Sequence, residues 1–405
     1  MSAAMQGLRT PVALLLCAAV ATLPCAQAAA QTTSVVVDVQ AGVNYSTNPF
    51  LVRDGDTGSA STDLSVRPQL LYRDELNEAA LVAQYRRSDY FTRYDAAEGY
   101  GAEAHGRRQI SPTVNGHADL IYDSSIIGQG GFGLVGVVDP TPPPDLVTPD
   151  ISLLGLRQRQ QSYVAALGGD WRMSARDTLN GDVRVSRIDY GGGSGGLLTS
   201  SRTTATMLGY SRTLSERTSI GLQGSGSWTE FGRRGNSGAF YQPQATLSHQ
   251  LSDRVRMSLA AGAVFISSTT PTGTTKVTGL SGSFTACQTN ERASGCLRAS
   301  SDAQATGLGD ISRRYSASAD YSYRLRENDV VRATVDYSRI RETSNLPQLS
   351  SVAYLSAIGS YERSLSRRVF AGVSGGYRQA TGGGLGRPSD LNFKFFVRTR
   401  LGDLR

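Results

Sequence analysis

The sequence predicts an all-β fold: a single antiparallel β-barrel of about 16 strands that crosses a membrane. In residues 316–325, small or apolar side chains alternate strictly with polar or charged ones, and residues 331–338 repeat the pattern. A period of two is typical of a strand that is wet on one face, because a helix repeats every 3.6 residues. Several such segments of about ten residues, joined by alternately tight turns and long polar loops, indicate a transmembrane barrel.

A repeated short turn gives the strand count. It recurs at residues 214–217, 251–254, 325–328 and 365–368, whose starts lie 37, 74 and 40 residues apart. We interpret the doubled spacing as one long insertion, and similar turns occur at residues 74–77, 111–113 and 174–177. Seven turns separate eight hairpins, which predicts sixteen strands. An even count places both termini and the short turns in the periplasm and the long loops outside the cell.

The first thirty residues predict a secretory signal peptide. Arg9 is their only charge, residues 12–23 are apolar, and small residues follow at 26–30, where cleavage is expected. Residues 31–405 would then form the mature barrel. Pro24 directly precedes Cys25, so lipid attachment at that cysteine is not expected.

Charge and cysteine content exclude several other classes. The chain has 41 basic and 34 acidic residues, an excess too mild to predict nucleic-acid binding. Two cysteines remain after processing, Cys287 and Cys296, and we expect them to form one local disulfide within a polar loop. No metal or other cofactor is predicted.

Two loops are predicted to be longer than connectors need to be. Residues 128–156 contain a proline-rich stretch, and residues 268–311 contain the cysteine pair. Loops of this length could fold over the pore or into it.

Strand parity assigns charged side chains to the water-filled interior. These lumen-lining candidates are Arg67, Arg86, Glu103, His105, Arg107, His117, Asp119, Asp170, Arg172, Asp182, Arg184, Arg256, Asp320, Arg324, Arg332, Asp336, Lys394 and Arg398. Sixteen strands enclose more space than side chains can fill. The charges could form a selectivity filter or simply brace a wet wall, and both interpretations stay open.

One lumenal cluster could carry chemistry. If the hairpin around Ser111 is symmetric, Glu103 lies across from Asp119 and His105 across from His117. Such a group could bind a divalent metal or act as a pH-sensitive gate, although a hydrogen-bonded network is the simpler interpretation. No catalytic residues are predicted, because a nucleophile with a paired base has no credible position and the glycine runs have no following helix.

Two segments resemble a known family. Residues 37–50, which end in Asn48, Pro49 and Phe50, and the last strand at residues 392–398 are similar to proteobacterial β-barrel porins associated with exopolysaccharide biosynthesis clusters. The resemblance covers nearly all of the mature chain. One departure is that the last strand ends at Leu401 and four further residues follow, whereas outer-membrane barrels commonly finish on an aromatic residue.

The resemblance implies a bacterial outer-membrane location and a role in exopolysaccharide export. Its partners would be outer-membrane lipid, a polysaccharide and a periplasmic export protein. Lumenal aromatic residues on which sugars could slide are few, and Tyr354, Phe370 and Phe396 are the candidates. Two other functions remain open: a general diffusion porin biased toward anions by the basic excess, and a structural or adhesive barrel that displays its loops.

Overall fold

The computed structural model describes residues 32–53, 57–127, 150–155, 157–191, 198–232, 236–271, 273–341, 351–382 and 386–402. The predicted signal peptide lies outside these residues. In chain order the strands are β1 (Thr32–Ser46), β2 (Ser59–Arg73), β3 (Asn77–Tyr90), β4 (Ala97–Ser111), β5 (Val114–Ile126), β6 (Arg159–Arg172), β7 (Asp177–Tyr190), β8 (Ser201–Ser215), β9 (Thr218–Phe231), β10 (Ser237–Ser252), β11 (Val255–Thr270), β12 (Gly273–Thr289), β13 (Ala293–Ala305), β14 (Ile311–Arg326), β15 (Asp329–Arg341), β16 (Ser351–Ser364), β17 (Val369–Gly382) and β18 (Ser389–Gly402). A 3-10 helix, Ile151–Leu153, lies between β5 and β6.

The strands form one closed antiparallel barrel. Each strand pairs with the next along the chain, and β1 also pairs with β18, from Val36 opposite Gly402 to Ser46 opposite Asn392. Closure gives every strand two neighbours, which satisfies the backbone hydrogen bonds without a free sheet edge.

The prediction of about 16 strands was wrong, because the barrel has 18. The segment predicted as a loop at residues 268–311 contains β12 and β13. The doubled turn spacing therefore reflects a complete extra hairpin, whose short turn at residues 290–292 lacks the leucine that marks the repeated turns. Cys287 and Cys296 form a disulfide directly across this hairpin, so they lie on adjacent strands and not within a loop.

The outward face of the wall is apolar. Leu167 and Leu222 are each 66% exposed, and Val35, Val185 and Phe395 are also exposed, whereas the alternate positions are polar and largely covered. Among the described residues, no helix is long and apolar enough to cross a membrane. A closed antiparallel barrel with an apolar outer band is the strand structure that can span a bilayer. The chain is a barrel of the bacterial outer membrane.

The short turns are fixed by local hydrogen bonds. In the first of them, the Asp74 carboxylate accepts hydrogen bonds from the backbone N–H groups of Leu76 (2.8 Å) and Asn77 (2.6 Å) and from the Tyr72 hydroxyl (2.8 Å). The Asn77 side chain, followed by the Tyr72 hydroxyl and the Leu76 N–H, lowers the pKa of Asp74 to about 2. An aspartate that hydrogen-bonds the backbone ahead of it is a common device for reversing the chain.

Candidate functional site

The register places all eighteen lumen-lining candidates on the inward face. Asp38, which is fully buried, defines that face on β1. In the strand register it lies opposite Arg67 on β2 and opposite Arg400 on β18. Because side chains alternate along each strand, the paired register carries the same face around the barrel. On this face lie Arg67, Arg86, Glu103, His105, Arg107, His117, Asp119, Asp170, Arg172, Asp182, Arg184, Arg256, Asp320, Arg324, Arg332, Asp336, Lys394 and Arg398.

Part of this charge is committed to bracing the wall. The Asp38 carboxylate accepts hydrogen bonds from Arg400 (Nε–Oδ1, 2.9 Å) and from Arg398 (Nη1–Oδ1, 3.5 Å). Arg398 also donates to Glu362 (Nη2–Oε1, 2.9 Å) and lies 4.2 Å from the centre of the Phe370 ring. Asp38 and Arg398 are almost fully buried, so each charge depends on its partner. This network joins β1, β16, β17 and β18.

Four other lumenal arginines have no such partner. Arg107, Arg172, Arg256 and Arg324 are exposed and lie toward the short-turn end of β4, β6, β11 and β14. Within the described part of the chain, none of the four forms an ion pair. We call them the arginine ring, since they are distributed around the barrel at its periplasmic entrance. Positive charge that is not held in ion pairs attracts anions to a pore entrance.

His105 and His117 belong to two separate histidine–aspartate pairs. His105 lies opposite Asp119, with Nδ1 and Oδ1 2.8 Å apart, and His117 contacts Asp182 on β7 through Nε2 and Oδ2 at 2.9 Å. The predicted pairing of Glu103 with Asp119 and of His105 with His117 was wrong, because the chain turns at Pro112 and Thr113 and not at Ser111, so Glu103 lies opposite Ile121. No group of three or more potential metal ligands is found in the described residues.

A glycine makes room for the second pair. Gly168 lies on β6, between β5 and β7. A Cβ atom at this position would come within 2.7 Å of the His117 ring and 2.5 Å of Asp182 Oδ2. The two pairs brace neighbouring strands, as the hydrogen-bonded network interpretation predicts.

In the long-loop half of the barrel, the connection between β13 and β14 folds into the lumen. Ala303 and Ile311 lie on the parity of the outward-facing Leu297 and Tyr321, yet they pack in one buried cluster with Val264 and the other inward side chains Ile266 and Phe231. The outer face of this connection therefore rests on the inner face of β9–β11. We call residues 302–311 the hairpin tip.

Three hydrogen bonds fix the hairpin tip inside the barrel. The Ser268 hydroxyl donates to Asp310 Oδ1 (2.5 Å), and the Gly307 N–H donates to Asp150 Oδ2 (2.7 Å). The Thr199 N–H, just before β8, donates to the Gly307 carbonyl (2.8 Å). The tip therefore reaches from β13 and β14 past β9–β12 to the start of β8.

A second segment enters the lumen from the connection between β5 and β6. Ile151 is buried against Ile340 on β15 and Val352 on β16, with Leu154 and Tyr354 beside them. Strands β5 and β6 lie almost opposite β15 and β16 in the barrel, so residues 150–155 cross the lumen. We call these residues the crossing segment. Residues 128–149 of the predicted long loop lie outside the described residues.

The connection between β1 and β2 also folds inward. Phe50 is fully buried between the rings of Tyr90 and Tyr94, at 5.5 and 5.0 Å, and the Arg157 guanidinium lies 4.7 Å from its centre. Leu51 and Arg157 both adopt positive φ angles, 52° and 46°, which residues other than glycine rarely adopt. Such strain persists where surrounding contacts enforce it.

A buried ion pair holds this connection to the wall. Arg378 Nη2 donates to the Pro49 carbonyl (3.1 Å) and to Asp390 Oδ2 (2.6 Å). The other Asp390 oxygen accepts hydrogen bonds from the Ser46 hydroxyl (2.6 Å) and the Asn48 N–H (2.9 Å).

Sequence reasoning missed most of the residues that narrow the lumen. Asp150, Gly307, Asp310, Ile311 and Arg378 were not among the candidates. Phe50 was noticed only as part of a motif shared with a family. The one available signal was a hydrophobic residue next to glycine or proline in a polar loop, and that signal does not say what the residue packs against.

Comparisons by sequence find nothing similar. No protein-family model matches the chain. No curated protein sequence matches it either.

Comparison of the folds does find solved barrels. The chain is similar to the FrpB iron transporter from Neisseria meningitidis (9% identity, TM-score 0.47), covering 86% of this chain and 62% of that one. It is similar to Pseudomonas aeruginosa OprD (9%, 0.43), covering 92% and 96%. It is also similar to Pseudomonas aeruginosa OccK2 with bound glucuronate (10%, 0.48), covering 92% and 98%. The chain thus spans less than two thirds of the length of that FrpB chain, and none of these likenesses carries an argument about substrate.

Proposed function

We propose that this barrel is an outer-membrane channel for small polar solutes, with a preference for anions. The observation that carries the proposal is the contact of Asp150 with Gly307, where the crossing segment and the hairpin tip meet inside the lumen. Two segments that enter from different sides and bond to each other narrow the route through the long-loop half.

The wall is suited to polar solutes. An 18-stranded barrel encloses a space that side chains on its wall cannot fill. Its inward face carries Asp, Glu, Arg, Gln and Ser side chains in the described strands, so a hydrated solute would find hydrogen-bonding partners throughout. The arginine ring would raise the local concentration of anions at the periplasmic entrance.

Export of an exopolysaccharide is the function implied by the family resemblance, and the described lumen favours it less. Tyr354, Phe370 and Phe396 all lie on the inward face, but each is engaged. Tyr354 packs beside the crossing segment, Phe370 lies under the Arg398 guanidinium, and Phe396 is 3% exposed. All three rings are thus in contact with other parts of the chain, and the narrowed long-loop half leaves a polymer little room.

The adhesive function depended on two long outer loops. One of them, residues 268–311, is largely the β12–β13 hairpin in the barrel wall and the inward-folded tip. It is therefore poorly placed to act as a displayed loop.

Two measurements separate the channel from the exporter. Purified protein in a planar bilayer should give discrete single-channel openings, and a KCl gradient should give a reversal potential shifted toward that of chloride. A clean deletion strain should secrete exopolysaccharide normally. An electrically silent bilayer, together with polymer retained in the periplasm of the deletion strain and released on complementation, would overturn the channel proposal in favour of export.

A further inference from the structure

Three arginines hold outward positions of β14 and β15 in the long-loop half of the barrel. Arg313 on β14 is directly opposite Arg341 on β15, and the next outward pair is Tyr315 with Arg339. Like charges directly opposite each other in a sheet repel and weaken it. A wall that faces lipid has no structural need for this arrangement, so the cluster calls for a partner of opposite charge.

No acidic side chain compensates these arginines within the described strands. The outward positions of β12–β16 in the long-loop half hold small, apolar, hydroxyl or basic residues. Arg339 and Arg341 are exposed and form no ion pair in the described part of the chain. Three other outward arginines at the same level have an acidic neighbour: Arg87 pairs with Asp89 (2.8 Å), Arg187 pairs with Asp189 (2.7 Å), and Arg202 lies opposite Glu230 in the strand register.

The wall is also recessed beside the cluster. Pairing between β12 and β13 stops at Gly282 opposite Ser301, because the hairpin tip leans into the lumen. Arg313 bridges the resulting gap by donating to the Leu280 carbonyl, and its guanidinium lies 5.0 Å from the centre of the Tyr315 ring. The Leu280 side chain is 78% exposed at the edge of the gap. An apolar side chain and a basic cluster thus border one depression.

We propose that this depression binds the phosphorylated headgroup of an outer-leaflet glycolipid. Arginine guanidinium groups bind phosphate through paired, charge-assisted hydrogen bonds, and basic clusters at a membrane surface recognise anionic lipids. The long-loop half of the barrel faces the outer leaflet. Phosphate would neutralise Arg339 and Arg341, while an acyl chain would cover Leu280. This site is separate from the lumen and does not depend on what passes through it.

The test compares lipid binding by matched variants. Full-length barrel in detergent micelles is titrated with phosphorylated lipid A, and separately with lipid A whose phosphates have been removed enzymatically. The test variant is R339A/R341A, and the control is R87A/R187A, which removes outward arginines that already have acidic partners. R339K/R341K retains the charge without the paired donors. Heat-modifiable migration on gels shows that each variant is folded.

The site predicts that R339A/R341A binds phosphorylated lipid A about tenfold more weakly than the wild type. R339K/R341K should be intermediate and R87A/R187A unchanged. Lipid A without phosphates should bind the wild type no better than phosphorylated lipid A binds R339A/R341A. The proposal is overturned if both double alanine variants lose affinity equally, if neither does, or if removing the phosphates leaves wild-type binding unchanged.

Discussion

The two halves of the lumen are built differently. In the long-loop half, segments of chain enter the barrel and bury Ile151 and Ile311 against its inner wall and Phe50 against two tyrosine rings. In the short-turn half, the wall carries buried ion pairs such as Asp38 with Arg398, and the exposed side chains of the arginine ring face the lumen. In the channel that we propose, the long-loop half would limit the size of a solute and the short-turn half would select its charge.

The largest expected effect comes from releasing the hairpin tip. In D150A/D310A the tip loses the carboxylates that receive the Gly307 N–H and the Ser268 hydroxyl. We expect single-channel conductance to rise several-fold in planar bilayers, because the tip no longer seats on the crossing segment. D189A removes an outward carboxylate near the same rim and should leave conductance at the wild-type value. Unchanged conductance in D150A/D310A would remove the long-loop half from control of passage.

Neutralising the arginine ring should change charge selection without widening the pore. In the fourfold variant R107Q/R172Q/R256Q/R324Q, the uncompensated positive charge at the periplasmic entrance is lost while side-chain size is largely kept. The reversal potential in a KCl gradient should move toward zero or to the cation-selective side. Conductance at high salt should change little, because screening already weakens the ring there. If anion preference persists in this variant, selection lies elsewhere.

Breaking the buried pair in the short-turn half should lower stability. D38N removes the negative charge of one partner of Arg398, whose own charge stays almost fully buried. Loss of one partner of a buried pair costs about 3–5 kcal/mol, here in the free energy of unfolding. Urea unfolding in micelles, followed by tryptophan fluorescence, measures it. D177N, which removes an exposed charge on the outward face near a short turn, should cost much less, and equal losses in the two variants would contradict the bracing role of Asp38.

The smallest effect concerns pH and the first short turn. The pKa of Asp74 is about 2 in the folded barrel, below its ordinary value of 3.8, because Asn77, Tyr72 and Leu76 hydrogen-bond its carboxylate. Its contribution to stability is therefore complete above about pH 4 and is lost as the pH falls toward 2. D74N should unfold at a lower temperature than the wild type at pH 6, and the difference should shrink by pH 2. E75Q, in the same turn, should show no such convergence.

The barrel wall could be predicted from the sequence, because the side chains of a strand point alternately inward and outward and differ in polarity accordingly. The eighteen lumenal charges follow from that alternation alone. The strand count failed where the turn at residues 290–292 departs from the repeated motif, so that β12 and β13 were taken for an insertion. The register prediction near Ser111 failed because alternation fixes the two faces of a strand but does not fix the residue at which the turn is centred, which is 112–113 here.

The narrowing of the lumen could not be predicted in the same way. Inward-folded connections have no period, and their contacts join residues far apart in sequence, such as Asp150 with Gly307 and Ser46 with Asp390. Which segment meets which depends on the closure and size of the barrel. The crossing segment reaches β15 and β16 only because the closed barrel places them opposite β5 and β6.

In the proposed channel, the hairpin tip and the crossing segment limit the size of solutes. This limit is tested most directly by the size cut-off for neutral sugars in liposome swelling, comparing the wild type with a variant in which residues 306–310 are replaced by Asn-Gly between Ala305 and Ile311. We expect the wild type to admit only small sugars and the variant to admit markedly larger ones at similar barrel density. The same cut-off in both proteins would contradict it.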